Sequence, residues 1–335
     1  MSYAYANARV KGMKSKLLPA AKVRELLDVE SVDAVVALLG DTAYKREFVE
    51  CSARYAGAEL VMRALYLNLA RTIATLARIL PEHAKPAFRT MAGEWVVEDL
   101  KRVLSKKALG REVSEEELAL VDEQYNDLLR KLAKARDLKA CAALLRGTPF
   151  GSAESLAELE GGKTKRFFEE AEAYYWRNVV ENTAAANDAQ LKAINRARLD
   201  AKNALIILRL KRDGIEMAEI SKWLLPSFGS RYDALVEAAG LAEAVEESRK
   251  LLRVSDEAVE EAKKGRLSTL EIETEKRLVE RVLKESRISS LGLAAVIGFL
   301  YLKSTEVGNI RKIAYGTHYG LKEELEKTVF AVKAS

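Results

Sequence analysis

The run Leu65-Tyr66-Leu67-Asn68-Leu69-Ala70-Arg71-Thr72-Ile73-Ala74-Thr75-Leu76-Ala77-Arg78-Ile79-Leu80-Pro81 decides the fold class. Leu65, Leu69, Ile73, Leu76 and Leu80 step by 4, 4, 3 and 4, which lines them up on one face of an α-helix. Pro81 ends that helix, because its ring cannot continue the hydrogen-bond ladder. The same period recurs outward from this stretch. A second helix is predicted after Pro86, with Phe88, Met91, Trp95 and Val103 near its inner face. Ser114 and Glu117 form a capping box, so a helix is predicted from Glu115 through Leu118, Val121, Tyr125, Leu128 and Leu132. Ser268 with Glu271 is a second such box. Gly214 and Gly316 each follow a long helical pattern and suit the left-handed position just past a helix end. Loops are predicted at 147–152, 160–163 and 226–230. No segment alternates polar and apolar residues as a strand would, and the fold class is all-α.

Composition agrees. Five prolines and 18 glycines in 335 residues are few for a turn-rich β fold. Hydrophobic residues make up 49%, enough for a core at a size where about 75% of the unfolded surface can be buried. The chain is 31% charged with a net charge of +5, acids and bases interspersed, so no nucleic-acid footprint stands out. The basic N-terminal set Arg9, Lys11, Lys14 and Lys16 reads as a solvated helix face. The N-terminus lacks the apolar run of a secretory signal. The most apolar stretch, 291–302, has 12 residues where a membrane span needs about 20, so it is predicted to be a buried core helix.

An internal repeat is the most informative pattern. Leu38-Leu39-Gly40-Asp41-Thr42-Ala43-Tyr44 resembles Leu144-Leu145-Arg146-Gly147-Thr148-Pro149-Phe150, 106 positions on. An acid, two residues, an asparagine and an apolar residue four further on occur as Asp200, Asn203, Ile207. They recur, again 106 positions on, as Glu306, Asn309, Ile313. A degraded copy stands at Val96, Asp99 and Val103, where valine replaces the acid. A third Leu-Leu pattern is expected near 249, where only Leu251-Leu252 follow. Three units of about 105 residues follow, bounded at 1–113, 114–219 and 220–335. Each is the size of a small helical bundle, and three in one chain imply a pseudo-threefold body.

Chemistry-bearing motifs are weak. Gly162-Lys163-Thr164 resembles the end of a phosphate loop, but Ala157 stands where that loop needs glycine, and a polar helix rather than a strand precedes it. It reads as a flexible linker. Cys51 and Cys141 cannot build a disulfide framework or a zinc site alone, and His83 and His318 lie far apart. No metal, cofactor or catalytic residue is expected, and a reducing compartment is. The residues of interest are Asp200, Asn203, Glu306, Asn309 and the nearby Arg311. An i, i+3 spacing sets acid and amide on one helix face, suited to a buried structural clamp or to a partner contact.

The segment Tyr5-Ala6-Asn7-Ala8-Arg9-Val10-Lys11-Gly12-Met13-Lys14-Ser15-Lys16-Leu17-Leu18 resembles the opening of the C subunit of archaeal and bacterial A/V-type rotary ATP synthases, whose eukaryotic relative is the d subunit of the vacuolar ATPase. Glu306 to Ala314 and Asp200 to Arg209 resemble the same family's repeated acid-x-x-Asn helices. The resemblance implies a funnel of three helical bundles without an active site or nucleotide site of its own. It implies a seat on the membrane proteolipid ring, a socket for the central shaft subunits of D and F type, and torque transmission for proton- or sodium-coupled ATP synthesis or hydrolysis. It places the chain peripherally on the cytoplasmic face of the cell membrane. The alternative is a cytosolic all-helical scaffold or adaptor. A third, weaker reading is an all-α enzyme using Cys51 or the 162–164 loop.

Overall fold

The computed structural model describes residues 2–288 and 292–329, and among them every regular element is a helix. After α1 (Tyr3–Lys14) come three short helices and two long ones: α2 (Ala20–Asp28), α3 (Val32–Leu39), α4 (Lys45–Ser52), α5 (Gly57–Ile79) and α6 (Lys85–Ala108). The same order recurs in α7 (Glu123–Lys134), α8 (Leu138–Leu145), α9 (Ala153–Glu160), α10 (Lys165–Ala186) and α11 (Ala189–Arg212). The short α12 (Met217–Ile220) intervenes. The order then returns in α13 (Asp233–Glu237), α14 (Leu241–Leu252), α15 (Asp256–Lys263), α16 (Ser268–Ile288) and α17 (Leu293–Tyr319), and α18 (Lys322–Thr328) closes the described chain.

Internal contacts divide the chain into two compact units, Met1–Tyr175 with Phe299–Ser335, and Trp176–Gly298. The dividing points fall inside α10 and α17. In the first unit, Tyr44, Phe48 and Leu65 bury against Val307, Ile310 and Ile313 of α17. In the second, Ala204, Ile207 and Leu208 of α11 bury against Val245 of α14, Val259 of α15 and Leu270 of α16. Each large apolar side chain taken from water contributes about 1.5–3 kcal/mol, so these stripes hold the helices together.

The opening stretch behaves as its period predicts: Leu65, Leu69, Ile73, Leu76 and Leu80 are all buried. Helix α5 is long and apolar enough to span a bilayer by length and composition, yet 61% of its most apolar window is buried inside the protein. Phe88, Met91 and Val103 are buried on α6, and Trp95 packs half-buried beside Met62, Tyr66 and Ala119. Of the apolar run 291–302, the residues from Leu293 open α17 and are mostly buried, while Leu291 lies outside the described residues. The loops at 147–152 and 226–230 fall between helices, and of 160–163 all but Glu160, the last residue of α9, do.

Gly214 takes φ +73° just past α11, its N–H bonding Lys211 O and that of Ile215 bonding Leu210 O, a Schellman end. Gly316 does not end a helix. It sits inside α17, where an added Cβ would come within 2.5 Å of the Leu325 side chain. Its role is room for Leu325, and Gly320, at φ +71°, ends the helix four residues later. The Ser114–Glu117 capping box is present, but it opens only the 3₁₀ turn Glu115–Glu117. The chain then runs extended, and α7 starts at Glu123 under an Asp122 cap. At Ser268 the helix has already begun, since Glu271 N–H bonds Leu267 O.

Candidate functional site

The first-named residues lie on the last long helix of each run: Asp99 on α6, Asp200 and Asn203 on α11, Glu306, Asn309 and Arg311 on α17. Asp200 with Asn203 and Glu306 with Asn309 each share an i, i+3 face, and all of these residues but Arg311 are buried. A buried polar group must find partners or cost about 1–3 kcal/mol. Asp99 and Asn203 find backbone groups of extended segments, Asp200 a tyrosine hydroxyl, and Glu306 both a backbone N–H and side-chain donors.

Asp99 Oδ2 accepts the N–H groups of Ala119 (2.8 Å) and Leu120 (3.1 Å), while Oδ1 accepts Arg102 at 2.5 Å. Arg102 also donates to Glu117 O and to the Tyr66 hydroxyl. These bonds explain why the capping box at Ser114 opens no long helix: Asp99 takes the two N–H groups that a continuing helix would use. Leu120 accordingly takes φ +47°. Burial raises the Asp99 pKa, against the opposing Arg102 charge and the two backbone donors.

Asn203 pairs with Leu225 through both halves of its amide, Oδ1 accepting the Leu225 N–H (2.9 Å) and Nδ2 donating to Leu225 O (3.1 Å). One turn earlier, Asp200 Oδ1 accepts the Tyr232 hydroxyl at 2.8 Å, and burial pushes that phenol up to about 12. Glu306 accepts the Leu18 N–H (2.5 Å), the Tyr44 hydroxyl (2.7 Å) and Lys303 Nζ (3.0 Å). Lys303 donates to Tyr44 as well and lies 3.9 Å from its ring centre. Burial holds the Tyr44 phenol well above its ordinary value and lowers the Lys303 ammonium, with Glu306 opposing the latter. Arg311 stacks its guanidinium over Tyr66 at 5.6 Å, and its buried Nε has no hydrogen-bond partner among the described residues.

Each of the three helices therefore holds the extended segment just before a short helix: α6 the segment before α7, α11 the one before α13, α17 the one before α2. Sequence alone located the acids and amides but not these segments. It also missed a second repeat, at an offset of 103. Ser152 caps α9 and donates its N–H and Oγ to the two oxygens of Glu170 (2.6 and 2.9 Å). Ser255 caps α15 and does the same to Glu273 (2.8 and 2.6 Å). Both short helices end in a glycine of positive φ, Gly162 at +90° and Gly265 at +87°. The Leu-Leu repeat has a common geometry too: Thr42 and Thr148 each donate N–H and Oγ1 to the carbonyl of Leu39 and Leu145.

The other candidates carry little chemistry. Gly162 N–H bonds Leu159 O and Lys163 N–H bonds Glu158 O, so the 160–163 loop is a helix cap rather than a flexible linker. Its N–H groups face the helix, not a phosphate. Burial raises the thiol of Cys51 and pushes that of Cys141 up to about 11, far from a nucleophile's range. His83 meets Tyr3 edge to face at 5.3 Å. Among the described residues no three His, Cys, Asp or Glu side chains converge to hold a metal ion.

The chain matches a known family model, the ATP synthase (C/AC39) subunit, over residues 6–327. The chain belongs to that family. Its relatives include the A-type ATP synthase C subunit of Desulfurococcus sp. (strain SY), 27% identical over 96% of this chain and 88% of the relative. The C subunit of the A-type enzyme from Archaeoglobus fulgidus is 27% identical over 97% and 95% of the two chains. That of Methanocaldococcus jannaschii is 27% identical over 96% and 84%. Family membership thus reaches almost the full length, and the all-α fold is the one the family-like segments imply.

Proposed function

We propose that this chain is the C subunit of an A-type rotary ATP synthase. It is a non-catalytic socket that joins the central shaft, of D and F type, to the membrane proteolipid ring and carries torque between them. It works peripherally at the cytoplasmic face of the membrane and binds no nucleotide or cofactor itself. The observation that carries this reading is the family match across residues 6–327. A torque-bearing part needs stiff elements, and packed helices are stiff because interiors are dense and nearly incompressible.

The same reading divides the chain into three similar units, 1–113, 114–219 and 220–335, in a funnel with pseudo-threefold symmetry. The thrice-repeated helix order and the bonds repeated at offsets of 103 and 106 support it. So does the cyclic order in which α6, α11 and α17 hold the segments before α7, α13 and α2. Asp200, Asn203, Glu306 and Asn309 act as structural clamps in this scheme, and Arg311 stiffens the α17 face.

The test is reconstitution of the rotary complex in vesicles with and without this protein, measuring ATP hydrolysis and ion transport together. Without it, the detached catalytic head should still hydrolyse ATP, while ATP-driven pumping and ion-driven synthesis are lost. Full pumping in its absence overturns the proposal.

A further inference from the structure

The Trp176–Gly298 unit carries an open groove, of whose lining residues only Asp200 takes part in the bonds above. It runs between the first half of α11, the end of α14 and α16. Its apolar lining includes Ala193, Ala197 and Ala201, spaced by four on α11 and half-buried, with Leu251 and Leu278. Seven basic and two acidic side chains line it, a net of +5 that equals the net charge of the entire chain.

The two acids are already engaged. Asp200 accepts from Tyr232, and Glu280 pairs with Arg277 at 3.1 Å. Arg196 reaches Ser230 and Asp200, and Arg281 lies 2.9 Å from Glu285. The remaining four basic groups, Lys192, Lys250, Arg253 and Lys284, are exposed and make no ion pair among the described residues. Lys192, Lys250 and Lys284 come from α11, α14 and α16 and Arg253 from the residue that caps α14, and the packing of these helices brings them to one groove. Like charges gathered this way repel one another in the free protein, and an acidic partner removes that repulsion.

The apolar lining decides what kind of acid fits. A phosphate backbone or a lipid headgroup satisfies the charges but gains nothing from alanine and leucine. A helix gains from both, because small side chains let two helix axes approach to about 8 Å while acidic flanks meet the basic rims. We propose that this groove docks an acidic α-helix of a partner protein. Its small or apolar face lies on Ala193, Ala197 and Ala201, and its Glu or Asp flanks meet Lys192, Lys250, Arg253 and Lys284. The inference stands on the groove alone; under the rotary reading the helix belongs to another member of the complex.

The test uses the full chain and a fluorescent designed helix of about 20 residues, one face Ala and Leu, both flanks Glu. Controls are the same composition scrambled, a Lys-flanked version, a uridine oligonucleotide and phosphatidylglycerol vesicles. Anisotropy should show saturable binding of the Glu-flanked helix that weakens at least about tenfold between roughly 50 and 300 mM salt. Lys192→Glu with Lys284→Glu should weaken it by at least about tenfold through charge reversal. Ala197→Trp should do so by filling the groove, with circular dichroism checking that each variant folds. No saturable binding of the Glu-flanked helix overturns the proposal. So does equal binding of the scrambled peptide, the oligonucleotide or the vesicles, which would make the groove a general polyanion site. An unaffected Ala197→Trp overturns it as well, because charge alone would then be the attraction. None of these results bears on vesicle pumping, so this inference and the rotary reading fail separately.

Discussion

Glu306→Ala is expected to be the most damaging of the carboxylate replacements, and its size follows from three donors. The Leu18 N–H, the Tyr44 hydroxyl and Lys303 Nζ all converge on this carboxylate within 3.0 Å. Glu306 and Lys303 are only 8% and 5% exposed. Removing the carboxylate strands an ammonium, a phenol and a backbone donor away from water. Breaking one side of a buried ion pair costs about 3–5 kcal/mol. With roughly 0.7 kcal/mol/K of unfolding entropy for 335 residues, the melting temperature should fall by about 4–7 °C. The deficit should also depend on pH. Burial depresses the Lys303 pKa in the folded chain. A depressed folded pKa leaves stability intact above the unfolded value, about 10.4, and removes it as pH falls through the folded value. Without Glu306 to favour the charged form, the folded value drops further, so the loss is larger at about pH 7 than at about pH 10. The assay is thermal unfolding followed by circular dichroism for Glu306→Ala, Lys303→Met and the double variant. The double variant should be more stable than Glu306→Ala alone, since no charge is left to strand. A double variant that loses the sum of both single losses, or Glu306→Ala melting with the wild type, would refute the reasoning.

Asp200→Ala should cost less, about 1–3 kcal/mol, because it strands one hydroxyl, that of Tyr232, with Arg196 already half in solvent. Unchanged melting together with weakened assembly would make Asp200 a partner contact instead. Gly316→Ala should destabilise by about 1–3 kcal/mol, since the new methyl meets Leu325 at 2.5 Å, and Leu325→Ala should recover part of that loss. A neutral Gly316→Ala in a denaturant titration would contradict the close fit. At about pH 8 only about one Cys141 thiol in a thousand should be ionised, given a pKa of about 11. Native alkylation monitored by mass spectrometry should therefore be far slower than in urea, and equal rates would refute burial of the thiol. Calorimetric titration with Mg-ATP should show no saturable binding by the isolated chain, because the 162–163 N–H groups already cap α9. Micromolar binding that is lost in Lys163→Ala would overturn that reading.

Features written at short range were legible before the fold was known. The 4, 4, 3, 4 spacing from Leu65 to Leu80 needs only the helix's own geometry, and those residues are buried as that spacing requires. Gly214 was legible for the same reason, since a Schellman end closes over six residues. The acid-x-x-Asn faces were legible as faces. Their partners were not: Glu306 meets Leu18 across 288 positions and Tyr44 across 262, and no local rule links them. Where local and long-range preferences compete, packing won. Ser114 and Glu117 form the box that opens a helix, but Asp99 captures the next two N–H groups and the chain leaves as an extended strap. Gly316 looked like a helix end because a glycine after a long helix usually is one, whereas only the folded chain brings Leu325 against it. The basic groove is the clearest case. Its charges are spread from Lys192 to Lys284 and interspersed with acids in the sequence, so they average to nothing along the chain. The packing of α11, α14 and α16 alone gathers them, because a helix sorts residues by face rather than by order, and the acids fall on the other faces or into internal bonds.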